Sequence, residues 1–268
     1  MQAGHVFQEF RDINELPEDS GRRVLTTGGH FGYLKIAEGC DKHCTYCIIP
    51  SLRGSFRSVP EERLLAQAEY MASQGVKELI LVAQETTVYG TDLYGRKTLH
   101  ILLKKLCQIR GIRWIRVLYC YPEEIYDELI QVMKEEKKIC NYLDLPIQHA
   151  SDRILKRMGR RTTRKQLTDI ITKLRREIPD IVLRTSLITG FPGETQEDHE
   201  ELMEFVDEME FDRLGVFTYS PEEGTPAESM EGQVPEEVKE ERRDEIMSLQ
   251  QEISLEKGNE RIGQELLV

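Results

Sequence analysis

Residues 33–47 read YLKIAEGCDKHCTYC and carry the most informative pattern in the chain. The segment begins with a short apolar run, Leu34–Ala37, that is typical of a strand. Three cysteines follow at positions 40, 44 and 47, in a C-x3-C-x2-C arrangement. Thiolates this close together on a loop after a strand can converge on one metal centre, so Cys40, Cys44 and Cys47 are the first candidate ligands.

The spacing of these cysteines favours an iron–sulfur cluster over zinc. Structural zinc sites use four ligands, usually as two separated pairs, and Cys107, Cys120 and Cys140 offer no matching pair. Three thiolates suit a 4Fe–4S cluster in which one iron lacks a protein ligand. A zinc site with His43 as fourth ligand stays open as an alternative.

Predicted strands and helices alternate through most of the chain. Strands are predicted at Leu34–Ala37, Glu78–Ala83, Trp114–Tyr119, Asn141–Leu145, Ile181–Ile188 and Arg213–Phe217. Helices are predicted at Glu61–Ser73, Leu99–Gln108, Glu124–Glu136, Ser151–Met158, Arg164–Glu177, Gln196–Glu208 and Glu236–Lys257. This order predicts an α/β fold, with parallel strands joined through helices. Six units are too few for a closed eight-unit barrel, so we expect an open partial (β/α)6 barrel with a parallel sheet, outer helices and a site at the carboxyl ends of the strands.

Composition limits the possible functions. The chain has 268 residues, with 48 acidic against 36 basic residues and a formal net charge of −12. This acidity disfavours nucleic acid as a partner, because phosphate binding needs clustered basic residues. No apolar run reaches membrane-spanning length, and the first residues do not resemble a signal peptide. We therefore expect a cytoplasmic protein, without a membrane partner, whose cysteines are reduced or bind metal.

The cysteine motif resembles that of the radical S-adenosylmethionine enzymes, in which the three cysteines follow the first strand and an aromatic residue, here Tyr46, precedes the last one. The resemblance implies that Cys40, Cys44 and Cys47 each bind one iron and that S-adenosylmethionine chelates the fourth. One electron from the reduced cluster would then cleave a carbon–sulfur bond of the cofactor, giving methionine and a deoxyadenosyl radical.

Later motifs agree with this resemblance. The segment Val82–Thr86 ends the second strand, where the family places polar groups for the methionyl amine. The segment Leu187–Thr195 follows the fifth strand, near the family's adenine and ribose site, and Thr195 is suited to cap the next helix. The candidate cofactor-binding residues are Gln84, Glu85, Gln148, Gly190, Gly193 and Glu194. An ordinary polar loop and a simple strand–turn–helix junction remain the alternative explanations of these two segments.

Further segments resemble the methylthiotransferases within this family: Tyr33–Cys40, Ile48–Pro50, Arg53–Ser58 and Ile188–Thr195. One branch of these enzymes modifies the β-carbon of an aspartate in ribosomal protein S-twelve, and the other modifies an adenosine of transfer RNA. The segments Pro146–Ser151 and Leu118–Pro122 are more similar to the protein-modifying branch. For His149, a capping role and a substrate contact both remain open.

The protein-modifying branch implies particular partners. They are ribosomal protein S-twelve, through an acidic loop, and an electron donor such as flavodoxin or ferredoxin. The basic run Arg157–Arg164 either meets that acidic loop or is a solvated helix junction.

The chain also departs from the family pattern. The family carries an N-terminal domain with three more cysteines that bind a second 4Fe–4S cluster, whereas no cysteine precedes Cys40 here. Residues 261–268 resemble only the first strand of the family's small C-terminal β domain, the TRAM domain. We therefore expect a lead-in at 1–25, a radical S-adenosylmethionine core at 26–257, and the start of a truncated TRAM-like domain at 258–268. Sulfur insertion is expected to need the missing cluster domain.

Three functions remain open on the sequence. The first is the core of a methylthiotransferase for the ribosomal protein, and the second is the core of a transfer-RNA adenosine methylthiotransferase. The third is a non-catalytic iron–sulfur or zinc-binding module.

Overall fold

Strands and helices alternate along the residues that the computed structural model describes, 12–16 and 24–265. The strands are β1 (Phe31–Lys35), β2 (Ala37–Glu38), β3 (Arg57–Ser58), β4 (Glu78–Val82), β5 (Trp114–Val117), β6 (Ile139–Asp144), β7 (Val182–Thr189) and β8 (Arg213–Thr218). The α-helices are α1 (Ile49–Arg53), α2 (Glu61–Ser73), α3 (Thr91–Tyr94), α4 (Leu99–Cys107), α5 (Asp127–Glu135), α6 (Asp152–Arg157), α7 (Arg164–Glu177), α8 (Gln196–Met209) and α9 (Glu236–Glu260).

Six of the strands form one parallel sheet. Their order is β1-β4-β5-β6-β7-β8, which is also their order along the chain. Within the described residues β1 and β8 do not pair with each other, so the sheet does not close. The predicted open partial barrel with outer helices is therefore confirmed.

One face of the sheet packs against the helices. In β7 every second side chain is buried, and the intervening ones are only half-buried. Helix α2 contributes Leu64, Ala68 and Met71 to the core at helical spacing. Helices α7 and α8 each begin with a capping box, at Thr163 and at Thr195. The predicted helix cap at Thr195 is confirmed.

The first predicted strand ends differently in the structure. The pattern Leu34–Ala37 predicts one continuous strand, but β1 leaves the main sheet after Lys35, which pairs with Val82, the last residue of β4. Ala37 and Glu38 pair instead with β3 in an antiparallel ribbon. This turn brings the cysteine segment across the end of the sheet.

The predicted helix Glu124–Glu136 starts later. Pro122 opens a 3-10 turn, Pro122–Glu124, and the backbone is extended at Ile125 and Tyr126 before α5 begins. Proline fixes its own φ and lacks an N–H group, so it favours such a short turn over a continuous helix.

The ends of the chain are only partly described. Most of the predicted lead-in at 1–25 and residues 266–268 of the predicted TRAM-like start lie outside the described residues. Helix α9 continues across the predicted boundary at residue 257 and packs against β8 and α8. None of the described helices is long and apolar enough to cross a membrane.

Candidate metal and cofactor site

The three cysteines lie on the loop between β2 and α1, at the carboxyl end of the sheet. Cys40 and Cys44 are buried, and Cys47 is half-buried. Gly39 has φ +79°, and a Cβ atom there would lie 2.1 Å from the carbonyl oxygen of Ser55. Only glycine therefore allows the chain to enter this loop at its observed position.

Hydrogen bonds to distant segments fix the cysteine loop. The Cys40 amide donates to the carbonyl oxygen of Gly54 over 3.2 Å, and the Thr45 amide donates to that of Met158 over 3.0 Å. The Ala227 amide donates to the Thr45 carbonyl oxygen over 2.9 Å. The thiols are thus held in place by the fold.

A cavity of about 390 Å³ opens beside the cysteines. Cys40, Cys47 and Gln84 line it, together with Tyr119 and Tyr121 from the carboxyl end of β5. Gln84 accepts a hydrogen bond from the Gly39 amide at 3.0 Å. The structure therefore brings two predicted ligands and one predicted cofactor-binding residue to the same cavity.

The donor set fits an iron–sulfur cluster, because three thiols on one loop match the requirement of a 4Fe–4S cluster with one open iron. Within the described part of the chain, no group of three His, Cys, Asp or Glu side chains is already arranged around one metal ion. Burial raises the pKa of Cys40 to about 11 and also raises the pKa of Cys47. The thiols of Cys40 and Cys47 therefore hold their protons at neutral pH, and metal binding has to release them.

Glu85 lies beside a second cavity, of about 250 Å³, which Cys40 also lines. Its Oε1 atom accepts hydrogen bonds from the amide and hydroxyl of Thr87, while its Oε2 atom has no partner among the described residues. Burial raises the pKa of Glu85 to about 7, against the opposing effect of those hydrogen bonds. Gln84 and Glu85 thus face different cavities on either side of Cys40.

Gln148 follows β6 with φ +71°, a conformation that is rare outside glycine. Its amide donates to the Ser186 carbonyl oxygen, and its own carbonyl accepts from the Ile188 amide, so the backbone is held from β7. The half-buried side chain does not line either cavity. Tyr119, which sequence reasoning did not single out as a site residue, has φ +59° and does line the first cavity. Strained backbone of this kind is often found at functional sites.

The predicted residues in the turn after β7 do not line either of these two cavities. A Cβ atom at Gly190 would meet the side chain of Lys239 at 2.2 Å, so this glycine permits close packing of α9. Gly193 packs in the same way beside Arg157. Glu194 is buried, and its Oε1 atom accepts a hydrogen bond from Arg242 at 2.8 Å while its Oε2 atom accepts one from the Phe191 amide at 3.1 Å.

Both carboxylate oxygens of Glu194 are thus engaged within the chain, and the cofactor contact of Glu194 stays a prediction. Its burial raises its pKa, but the nearby His149 and Arg242 outweigh that effect, and the net pKa is lowered. His149 is itself buried, and its Nδ1 atom accepts the Ser151 amide at 3.0 Å just before α6. Of the two alternatives for His149, the structure supports the capping role.

The basic run Arg157–Arg164 does not form a continuous positive surface. Arg157 donates to carbonyl oxygens of Pro192 and Glu231, and Arg164 pairs with three glutamates of α8. Arg160 is buried. Most of the charge that suggested an acidic partner is thus already engaged within the chain.

Sequence reasoning missed two neighbours of Cys44. The Tyr121 hydroxyl lies 3.8 Å from the Cys44 sulfur, and the Arg160 guanidinium lies over the Tyr121 ring, 4.2 Å from its centre. Tyr121 lies in the segment Leu118–Pro122 and Arg160 in the basic run Arg157–Arg164, but neither was predicted as a site residue. The position of Tyr121 just after a predicted strand, at the edge where parallel sheets place their sites, was a further signal.

Comparison with protein families gives a match over residues 34–206 to the Radical SAM superfamily. A curated relative from Lachnoclostridium phytofermentans, named ribosomal protein uS12 methylthiotransferase RimO, is 63% identical over 266 residues. The alignment covers 99% of this chain and 60% of that relative. A relative of the same name from Clostridium perfringens is 57% identical over 254 residues, covering 95% of this chain and 57% of its own length. The chain therefore spans less than two thirds of the length of these relatives.

Solved structures show the same fold at low sequence identity. Coproporphyrinogen III oxidase from Escherichia coli, described as a radical SAM enzyme, aligns with a TM-score of 0.61 and 17% identity, covering 84% of this chain and 53% of that one. The radical S-adenosylmethionine methyltransferase TsrM from Kitasatospora setae gives a TM-score of 0.59 and 17% identity, covering 74% of this chain and 38% of that one.

The cysteine loop, the open parallel sheet and the family match agree with one another. On this basis the chain belongs to the radical SAM superfamily.

Proposed function

We propose that residues 26–257 are the core of a radical S-adenosylmethionine methylthiotransferase that modifies an aspartate β-carbon of ribosomal protein uS12. The observation that carries the proposal is the alignment of 99% of the chain, at 63% identity, with a relative named for that activity. The cavity beside Cys40 and Cys47, at the carboxyl end of the sheet, supports it because parallel α/β folds place their sites at this edge.

In this function Cys40, Cys44 and Cys47 would each hold one iron of a 4Fe–4S cluster, and S-adenosylmethionine would occupy the adjacent cavity. When bound, the reduced cluster and S-adenosylmethionine together supply the one-electron chemistry that activates a substrate carbon–hydrogen bond. Gln84 lines the cavity and anchors the Gly39 amide. Glu85 faces the second cavity, which Cys40 also lines, and its unpartnered oxygen is suited to accept a hydrogen bond from an ammonium group placed there.

The protein's own contribution is to hold these ligands in place and keep water out. The loop hydrogen bonds to Gly54, Met158 and Ala227 fix the cysteine positions before any group binds. Apolar side chains of Ile49 and Val82 form part of the cavity wall. A dry site strengthens electrostatic interactions and protects reactive species from water.

The chain aligns with only part of its relatives' length. We propose that a second 4Fe–4S cluster for sulfur insertion belongs to the part of the relatives outside the aligned region. We expect this chain alone to cleave S-adenosylmethionine without transferring sulfur. Flavodoxin or ferredoxin in the cytoplasm is the proposed electron donor.

Cluster binding is tested first. The chain and its Cys44→Ala and Cys107→Ala variants are reconstituted anaerobically with iron and sulfide. Cys107 is the matched control, because it is also buried but lies in α4, away from the loop. We expect the visible absorption of a thiolate-bound cluster in the wild type and in Cys107→Ala, and its loss in Cys44→Ala. Stoichiometric zinc without such absorption would support the non-catalytic alternative.

The substrate is tested next. The reconstituted chain and the full-length relative from Lachnoclostridium phytofermentans are each incubated with a reductant, S-adenosylmethionine, uS12 and transfer RNA. We expect deoxyadenosine from both proteins, and methylthiolated uS12 from the full-length relative only, by mass spectrometry. Modified adenosine in transfer RNA with unmodified uS12 would instead assign the chain to the transfer-RNA branch.

A further inference from the structure

The surroundings of Cys44 include a tyrosine from a distant part of the chain. Tyr121 reaches it from the end of β5, with its hydroxyl 3.8 Å from the Cys44 sulfur. Tyr121 also lines the cavity proposed for S-adenosylmethionine, together with Cys40 and Cys47. The Lys42 Nζ atom also lies over the Tyr121 ring, 5.1 Å from its centre.

The Tyr121 ring is held by a buried cation. The Arg160 side chain is 1% exposed, and its guanidinium lies 4.2 Å from the centre of the ring. Its Nη2 atom donates to the Pro146 carbonyl oxygen over 2.9 Å. Contact with an aromatic face stabilises a guanidinium and also fixes the orientation of the ring.

Arg160 is incompletely neutralised by its own surroundings. Among the described residues, its Nε and Nη1 atoms have no hydrogen-bond partner. The nearest carboxylate, that of Glu123, is 4.0 Å away. A buried charge without a close counter-ion is costly unless another negative group compensates it. A thiolate-bound cluster next to Cys44 would bring such negative charge.

We propose that Tyr121 donates a hydrogen bond to the Cys44 thiolate and that Arg160 positions it, so that together they raise the reduction potential of the cluster. The inference rests on the proposed function only in that the cluster is held by the three cysteines. A tyrosine hydroxyl is protonated at neutral pH, because its ordinary pKa is about 10. A thiolate accepts from it more strongly than a thiol does, since charged acceptors form shorter and stronger hydrogen bonds.

The effect on the potential follows from charge. Reduction adds one electron, and part of that negative charge resides on the sulfur ligands. A hydrogen-bond donor and a nearby cation therefore stabilise the reduced cluster more than the oxidised one. Hydrogen bonds to the sulfur atoms are among the established determinants of cluster potentials. Tyr121 is thus a positioning residue that acts through the cluster and does not react itself.

The decisive measurement is the midpoint potential of the reconstituted chain, by EPR-monitored redox titration without S-adenosylmethionine or substrate. Tyr121→Phe removes the hydroxyl and keeps the ring beneath Arg160. We expect a shift to more negative potential of roughly tenfold in the equilibrium constant for reduction, which is about 59 mV for one electron. Tyr126→Phe is the matched control, because it loses a hydroxyl bound to His100 rather than to a cysteine, and we expect no shift in it.

A second variant tests the inference if Tyr121→Phe does not fold or does not retain its cluster. A tyrosine fluorinated next to its hydroxyl, incorporated at position 121, keeps the size of the side chain and is a stronger donor. It should shift the potential to more positive values. An unchanged potential in either cluster-loaded variant would overturn the inference and leave the proposed function standing. Failure of the wild type to bind a cluster would instead refute the proposed function, and the inference with it.

Discussion

Replacing Glu194 with Gln separates a structural role from a cofactor-binding role. The Glu194 and Arg242 side chains are 0% and 7% exposed, and their charged atoms lie 2.8 Å apart. Removing one member of such a buried pair leaves an uncompensated charge and costs about 3–5 kcal/mol. Gln keeps the volume and one acceptor oxygen, so we expect the lower end, about 3 kcal/mol. For a chain of this size that lowers the melting temperature by roughly 6–12 °C.

The assay combines thermal unfolding with cofactor binding. Circular dichroism of the chain gives the melting temperature, and calorimetry on the cluster-loaded protein, well below that temperature, gives the affinity for S-adenosylmethionine. We expect the affinity to stay within about twofold, because Glu194 is engaged with Arg242 and Phe191. A double variant, Glu194→Gln with Arg242→Met, should recover much of the lost stability, since it removes both charges. Normal stability with strongly weakened cofactor binding would refute this reasoning and support Glu194 as a cofactor contact.

Three further changes test other parts of the site. Gly39→Ala should destabilise the cysteine loop and lower the cluster content, because the new Cβ atom would meet a backbone oxygen and φ is +79°. The iron content per chain measures the loss of cluster, and full cluster occupancy would contradict the prediction. Gln148→Gly should raise the free energy of unfolding by about 1 kcal/mol, because glycine adopts the left-handed backbone of this position without strain. Denaturant titration measures the change, and a clear loss of stability would mean that the Gln148 side chain makes essential contacts. Asp198 has a pKa lowered to about 2, because Arg153 and the Thr195 amide outweigh its burial. The ionised Asp198 carboxylate therefore stabilises the folded state fully above the pKa of the unfolded state, near 4, and this stabilisation disappears as the pH falls towards 2. The stability difference between the wild type and Asp198→Asn should fall from about 2 kcal/mol at pH 6 to near zero at pH 2, and a difference independent of pH would count against the assignment.

The sequence predicted the order of strands and helices because period and turn signals are local properties. Helices α2 and α7 begin and end where the pattern predicts. The end of β1 was not predictable in this way. The apolar pattern continues through Ile36, but the chain leaves the sheet because β4 ends at Val82, opposite Lys35.

The candidate site was predictable where its residues are close in sequence. The cysteine spacing and Gln84 were found because they follow strands directly. Tyr121 lies 77 residues from Cys44, and only the packing of β5 beside the loop brings them together. The pairing of Glu194 with Arg242 was not predictable for a similar reason, since Arg242 is 48 residues away on α9.

The hydrogen bonds of the cysteine loop also imply when, during translation, the loop can fold and bind its cluster. Thr45 is anchored by Met158 and by Ala227, which leave the ribosome long after it does. At typical elongation rates of about 5–20 residues per second, roughly 10–35 seconds separate Thr45 from Ala227. During that interval the segments that pack around Cys40, Cys44 and Cys47 are not yet in place. The three thiols are then accessible to oxidants and stray metal ions. We expect the cluster to be inserted only after translation of the segment that contains Ala227, and nascent chains stalled earlier to show thiols that alkylating reagents modify rapidly.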